Sequence, residues 1–173
     1  MARPADPSRD AAACAAIYAP FVADTAVTFD EQAPDAATMA ATIETLSRTH
    51  AFLVAERDGR VAGYAYAGPH RERAAYRWAT TVTIYLDPAF HRQGIGRELY
   101  SELFERLRQR GFLIAAAGIT LPNDASVGLH ESFGFELVGI YRSIGWKAGA
   151  WRDVGWWQLQ LAEPDATPPT EPR

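Results

Sequence analysis

The sequence has 173 residues, a length that fits one well-packed domain and is short for two. With 48% hydrophobic and 22% charged residues it reads as an ordinary globular protein, and a formal net charge of −4 provides no basic face to displace phosphate counterions, which excludes a nucleic-acid partner. MARPADPSRD at the start holds no apolar core of signal-peptide length and no later run approaches a membrane span, so a cytoplasmic location away from membranes is expected.

In chain order, Asp6-Pro7 predicts a helix start, an N-cap side chain followed by proline at the first helical position. That helix is expected to run through AAACAAIYAPF and to end near Pro20. The single cysteine, Cys14, sits within it as a small apolar side chain, in the wrong element for a covalent acyl-cysteine route. Thr25 to Phe29 reads as extended, and Asp35 caps a second helix over AATMAATIETLSRT. Two alternating runs flank Asp58-Gly59, a strong hairpin signal because both turn residues tolerate positive φ. After a polar connection, PHRERAAYRW, comes a strand from Thr80 to Leu86. The segment from Gly94 to Arg110 is amphipathic, with Leu99, Tyr100, Leu103, Phe104 and Leu107 on one face and Gly111 as its stop. FLIAAAGIT reads as a buried strand, Asn123 or Asp124 caps a helix to Phe133, and ELVGIYRS and DVGWWQLQL read as closing strands. The order predicts an α/β domain over residues 1–161, a mixed sheet with helices on both faces, followed by a disordered Pro-rich tail over 162–173.

The strand that breaks at Asp87-Pro88 leads into HRQGIGRELY. A strand feeding Gly94-x-Gly96 and then a helix exposes backbone N–H groups at the positive end of the helix dipole, a setting for pyrophosphate, with Arg92 and Arg97 beside it. A Walker loop would need Gly-Lys-Ser/Thr where Gly96 is followed by Arg97-Glu98, and a dinucleotide fingerprint would need glycine or alanine where Leu99 stands. The stretch instead resembles the acetyl-CoA loop of the GNAT superfamily of N-acetyltransferases, with Gly94 and Gly96 on its glycines and His91 at the position of its first Gln or Arg. LPNDASVGLHESFGF is similar to the superfamily's second motif.

This resemblance implies the GNAT acyl-CoA fold, mostly antiparallel, with acetyl-CoA as co-substrate and no metal. It implies cofactor contacts from Ile84, Tyr85 and Leu86, from Arg92, Gln93, Gly94, Ile95, Gly96 and Arg97, and from Asn123 and Ser126. IYAPFVADTAVTF, HRERAAYR and GWKAGAWRDVGWWQLQL narrow the likeness to the phosphinothricin and methionine-sulfoximine N-acetyltransferases. That family implies a small amino-acid-like substrate acetylated on its α-amine and a homodimer. Arg71 and Arg73 match its Arg-x-Arg and Phe29 its aromatic wall, while Trp146, Trp151, Trp156 and Trp157 are expected in the core and at the dimer contact.

Aligned on Trp78 and Tyr85, Thr81 stands where the family carries a glutamate. The attacking amine must be neutral, and a threonine hydroxyl has no useful basicity near pH 7. Three accounts stay open: water ordered by Thr81 or Thr83, His130 as the base, or a site whose substrate has drifted. Tyr85 is a candidate to protonate the leaving thiolate. Direct transfer in a ternary complex is expected, with a backbone N–H of Ile84–Leu86 polarising the carbonyl. The alternatives are another acceptor (an antibiotic, a polyamine or a protein N-terminus) and a degenerate acyl-CoA-binding module.

Overall fold

The computed structural model describes residues 1–165 and 170–172. Its elements are β1 (Ala2–Pro4), α1 (Pro7–Asp24), α2 (Ala36–Thr49), β2 (Ala51–Arg57), β3 (Arg60–Pro69), β4 (Ala79–Leu86), α3 (Ile95–Arg110), β5 (Ile114–Leu121), α4 (Asp124–Glu131), β6 (Glu136–Lys147) and β7 (Ala150–Gln160). They build a seven-stranded sheet in the order β1-β2-β3-β4-β5-β7-β6. Every pairing is antiparallel except β4 with β5. The mixed, mostly antiparallel α/β architecture expected from the sequence is the one observed.

The local signals act as their chemistry requires. Asp6 caps α1 by accepting from Ser8 N at 2.9 Å, and Asp35 caps α2 by accepting from Thr38 N at 2.8 Å. Asp58 (φ 51°) and Gly59 (φ 74°) take the left-handed conformations of a two-residue hairpin. Three expectations are corrected. First, α1 continues through Pro20 to Asp24, because burial of Val22 holds the last turn in spite of the N–H that proline lacks. Second, residues 25–30 form no strand; Thr25 and Thr28 turn the chain with side-chain to backbone bonds. Third, α4 stops at Glu131, two residues short of Phe133. The short strand β1 carried no readable pattern.

Two cores sit on the two faces. On one, the α3 stripe Leu99, Tyr100, Leu103, Phe104 and Leu107, none more than 1% exposed, packs on the inner strands. On the other, Ile17, Tyr18 and Ile43 from α1 and α2 meet Phe52, Val54 and Tyr64. Leu161 is buried and donates its N–H to Leu113 O at 2.7 Å, sealing the sheet's end. Of the expected tail, residues 166–169 and 173 lie outside the described residues; Thr170 O accepts from Trp78 Nε1 at 3.4 Å, and Glu171 pairs with Arg77.

One buried charge ties β1 to α1. Asp10, 1% exposed, takes a bidentate fork from Arg3 at 2.7 and 2.8 Å and the N–H of Asp6 at 2.7 Å. Burial works to raise its carboxyl, but the Arg3 and Asp6 hydrogen bonds and the charges of Arg3 and Arg9 win, and its pKa falls below the ordinary value. Asp10→Asn is therefore expected to cost about 2 kcal/mol, because it removes the buried charge and one acceptor of the fork while Glu56 still holds the Arg3 guanidinium. A carboxylate with a depressed folded pKa stabilises above its unfolded pKa, so the gap between variant and wild type in urea midpoints should be full above about pH 5 and shrink as the pH falls below it.

Candidate active site

The parallel pairing of β4 with β5 is short: Ala79, Thr80 and Thr81 face Ile114, Ala115 and Ala116, and there the register ends. Beyond it each strand keeps its outer neighbour, β4 with β3 to Leu86 and β5 with β7 to Leu121. The facing edges part and leave those backbone N–H and C=O groups of 82–86 that point toward β5 without a strand partner. A cleft of about 280 Å³ opens between them, walled by residues 82–86 of β4, residues 117–120 of β5 and Asn123, Ser126 and His130 at the start and end of α4.

The glycine turn lies at one end of this cleft, which His91 also lines. Arg92 (φ 61°) and Gly94 (φ 75°) both adopt left-handed conformations, and Gly94 is the N-cap of α3 with no side chain to cap it. The first amides of α3, those of Ile95, Gly96 and Arg97, therefore point outward with the helix dipole behind them. A Cβ on Gly96 would lie 3.1 Å from Leu129 Cδ2, so glycine lets α3 begin hard against α4. Such a nest of amides fits a diphosphate. Arg97 lies 5.4 Å over the Phe133 ring, and Asn123 spends its Oδ1 on Ser126 N at 3.2 Å.

On β4 the odd positions Thr81, Thr83 and Tyr85 face α1 and α2, and the even ones face α3. Thr83 shares a hydrogen bond with Tyr66. The Tyr85 ring packs in an aromatic cluster, 4.7 Å from Tyr18 and 5.1 Å from Phe21, and burial pushes its phenol up to about 12. Its hydroxyl joins the network in which Tyr18 meets Thr28 Oγ1 at 2.6 Å and donates to Asp30 at 2.7 Å. The loop carrying Asp30 closes over the site: Phe29 lies on Gly145 of β6, and Thr120 Oγ1 donates to Val27 O.

His130 does not present itself as a base. It is 3% exposed; its Nδ1 meets Ser126 O at 2.7 Å and its Nε2 meets Tyr100 Oη at 2.9 Å. Nδ1–H donates to the carbonyl and the phenol donates to Nε2, so neither nitrogen offers a lone pair to a substrate. Burial holds its pKa below the ordinary histidine value. The helical position that suggested chemistry instead joins α4 to α3.

A second histidine, unassigned from sequence, stands beside Thr81. His70, just past the end of β3, puts Nδ1 3.0 Å from Thr81 Oγ1. Its ring is held edge-on by Trp156 at 5.8 Å and Tyr76 at 5.9 Å. Trp156, expected in the core or at a dimer contact, seats on Gly118 in the cleft wall, where a Cβ would come within 3.1 Å of the indole. Its Nε1 is buried without a hydrogen-bond partner among the described residues. His70 and Trp156, with Arg71 and Ala116, also line a hollow of about 390 Å³ against β6. Arg71 borders that hollow; Arg73 does not, and faces the neighbouring one beside His50 and Phe112.

The family model described as acetyltransferase (GNAT) family matches residues 17–135. The chain is similar to a phosphinothricin N-acetyltransferase of Streptomyces viridochromogenes, 42% identical over 130 residues, 75% of this chain and 71% of that one. It is also similar to an L-methionine sulfoximine/L-methionine sulfone acetyltransferase of Salmonella typhimurium, 35% identical over 161 residues, 91% of this chain and 94% of that one. The solved structure of a GNAT superfamily phosphinothricin acetyltransferase from Sinorhizobium meliloti, in complex with acetyl-CoA, superposes with a TM-score of 0.93 at 37% identity, covering 99% of this chain and 93% of that chain.

His130→Phe keeps the ring volume and strands the Tyr100 hydroxyl and the Ser126 carbonyl. A loss of about 2 kcal/mol is expected, read as a lower urea midpoint, with the acid limb of the rate profile unmoved. A vanished acid limb would return His130 to the role of base.

Proposed function

The chain belongs to the acetyltransferase (GNAT) family, and on that premise we propose that it moves the acetyl group of acetyl-CoA to the α-amine of a small amino acid or analogue. The single observation that carries the acceptor is the hollow behind Thr81, bordered by His70 and by Arg71, whose guanidinium is a donor fork for a carboxylate or phosphinate. Arg73, two residues further along, adds positive potential rather than a direct fork, and Phe29, packed on Gly145 of β6, takes the family's aromatic-wall role. This charge pattern disfavours a polyamine.

Acetyl-CoA brings an activated thioester. The amides of Ile95, Gly96 and Arg97, with Arg92 and Gln93 beside them, hold its diphosphate, and Asn123 and Ser126 line the path below. The unpaired edge of Ile84–Leu86 hydrogen-bonds its amide arm as an added strand would and polarises the thioester carbonyl. Transfer is direct: Cys14, fully buried in α1 with its thiol pushed up to about 12 by that burial, takes no part. Tyr85, spent on its aromatic cluster and the Tyr18 network, shapes the wall.

The acetyltransferase domain is residues 1–161. We place the reaction in the cytoplasm, where acetyl-CoA is made; no helix among the described residues is long and apolar enough to cross a membrane. A homodimer is supported by the β6–β7 hairpin, where Leu137, Ile144, Trp146 and Trp151 are exposed and two of them, Trp146 and Trp151, stack edge-on at 5.4 Å. Light scattering is expected to return twice the 19.0 kDa chain mass, and Trp146→Glu together with Trp151→Glu to return that of one chain.

The acceptor is tested by a panel of amino acids, their phosphinate and sulfoximine analogues and simple amines, followed by release of free thiol. Turnover is expected with the zwitterions, and Arg71→Ala should raise KM for them about tenfold or more without changing KM for acetyl-CoA. Turnover confined to amines without an acidic group, or acetyl-CoA binding with no thiol released by any of them, overturns this reading.

A further inference from the structure

A threonine in place of a carboxylate leaves the amine's proton with nowhere to go, unless something behind the hydroxyl can take it. The structure puts one group there. Thr81 closes the apex of the cleft, paired to Gly68 on one side and Ala116 on the other, and its Oγ1 touches Nδ1 of His70 at 3.0 Å. The opposite ring nitrogen, Nε2, has no hydrogen-bond partner among the described residues. The ring is clamped by the same Trp156 that seats on Gly118 in the cleft wall.

We infer that Thr81 and His70 together do the work of the absent carboxylate, Thr81 receiving the proton of the attacking amine while handing its own hydroxyl proton to Nδ1 of His70. The inference rests on the acetyl-transfer reading of this cleft. The amine nitrogen bonds to the acetyl carbon, the C–S bond breaks, and coenzyme A leaves as the thiolate. One N–H bond of the amine breaks as an O–H bond forms on Oγ1, and the O–H bond already there breaks as an N–H bond forms on Nδ1. The imidazolium then releases a proton from Nε2 to water and exchanges tautomer through solvent, so that Nδ1 is again the acceptor.

The surroundings suit a proton acceptor. Burial first, and the Arg71 charge second, hold His70 below the ordinary histidine pKa, so its ring is neutral at pH 7 and keeps its lone pair. The other titratable groups around it are Glu72, Arg73, Tyr76 and Arg77 from its own connection, His50 beyond α2 and Glu171 from the tail. On the β6 side stands Tyr141, and the β4 and β7 elements meet it with Thr81 and Trp156, which do not titrate in this range. At saturating amine, where the substrate's own ionisation is separated from the enzyme's, the enzyme's limb should therefore fall as the pH drops through a value below about 6.5.

The test follows thiol release from pH 5 to 9, with whichever amine the wild type acetylates. His70→Asn keeps a polar atom near the Nδ1 position, and so the bond to Thr81, but cannot take a proton. Turnover is expected to fall about 10²-fold or more and the acid limb to disappear, with KM for acetyl-CoA unchanged as the sign of an intact fold. Thr81→Val should cost a similar factor, and the double variant no more than either alone, because the two act as one unit. Thr81→Glu placed on His70→Asn should restore turnover. A His70→Asn enzyme with wild-type rate and acid limb, or losses that multiply in the double variant, overturns the inference. Acetylation of some amine other than an amino acid would sink only the acceptor reading, since the pair can be tested on that amine equally well.

Discussion

The architecture turns on a ladder that stops early. Parallel strands β4 and β5 share only the stretch that ends at Thr81 and Ala116, while each stays bonded to its antiparallel neighbour along its full length. A central sheet with an open seam would ordinarily carry the cost of unpaired buried amides. Here the cost is deferred to a ligand whose amide arm can complete the ladder, and the helices that follow the two strands, α3 and α4, bring their N-termini to the seam's wide end. Cofactor grip and substrate access thus come from one geometric fact.

The same seam gives its apex a fixed set of neighbours. Thr81 is the last paired residue before the strands part, so its side chain is held with a paired backbone on both sides. Packing, not loop flexibility, sets the neighbours of that group: Gly118 leaves room for Trp156, Trp156 holds His70, and His70 reaches Thr81. His130 shows the converse. Its chemistry is suited to a base, but two short hydrogen bonds and burial commit it to holding α4 on α3. Reactivity belongs to the nitrogen left without a partner, and residue type alone does not reveal which that is.

What was readable in the chain was local. Caps at Asp6 and Asp35, the left-handed pair at Asp58-Gly59, the α3 stripe and the glycine turn each depend on neighbours within a few residues, and each appears where its pattern stands. Where the reading failed, a distant contact had overruled a local rule. Pro20 sits inside a helix because Val22 is buried against the sheet, and Thr25 to Phe29 bends instead of extending because its threonines cap turns and Val27 is tied to Thr120.

By itself, then, the sequence determined most of the helices and strands, the hairpin at Asp58-Gly59 and the glycine turn that opens α3, because turn chemistry, periodicity and capping are short-range properties of the chain. Only the tertiary structure decided what stands behind Thr81. The connection between β3 and β4 is long enough to leave their register open, so nothing in the order of residues says that Pro69 pairs with Thr80 and delivers His70 to Thr81. Register across a sheet is settled by the packing of both its faces at once.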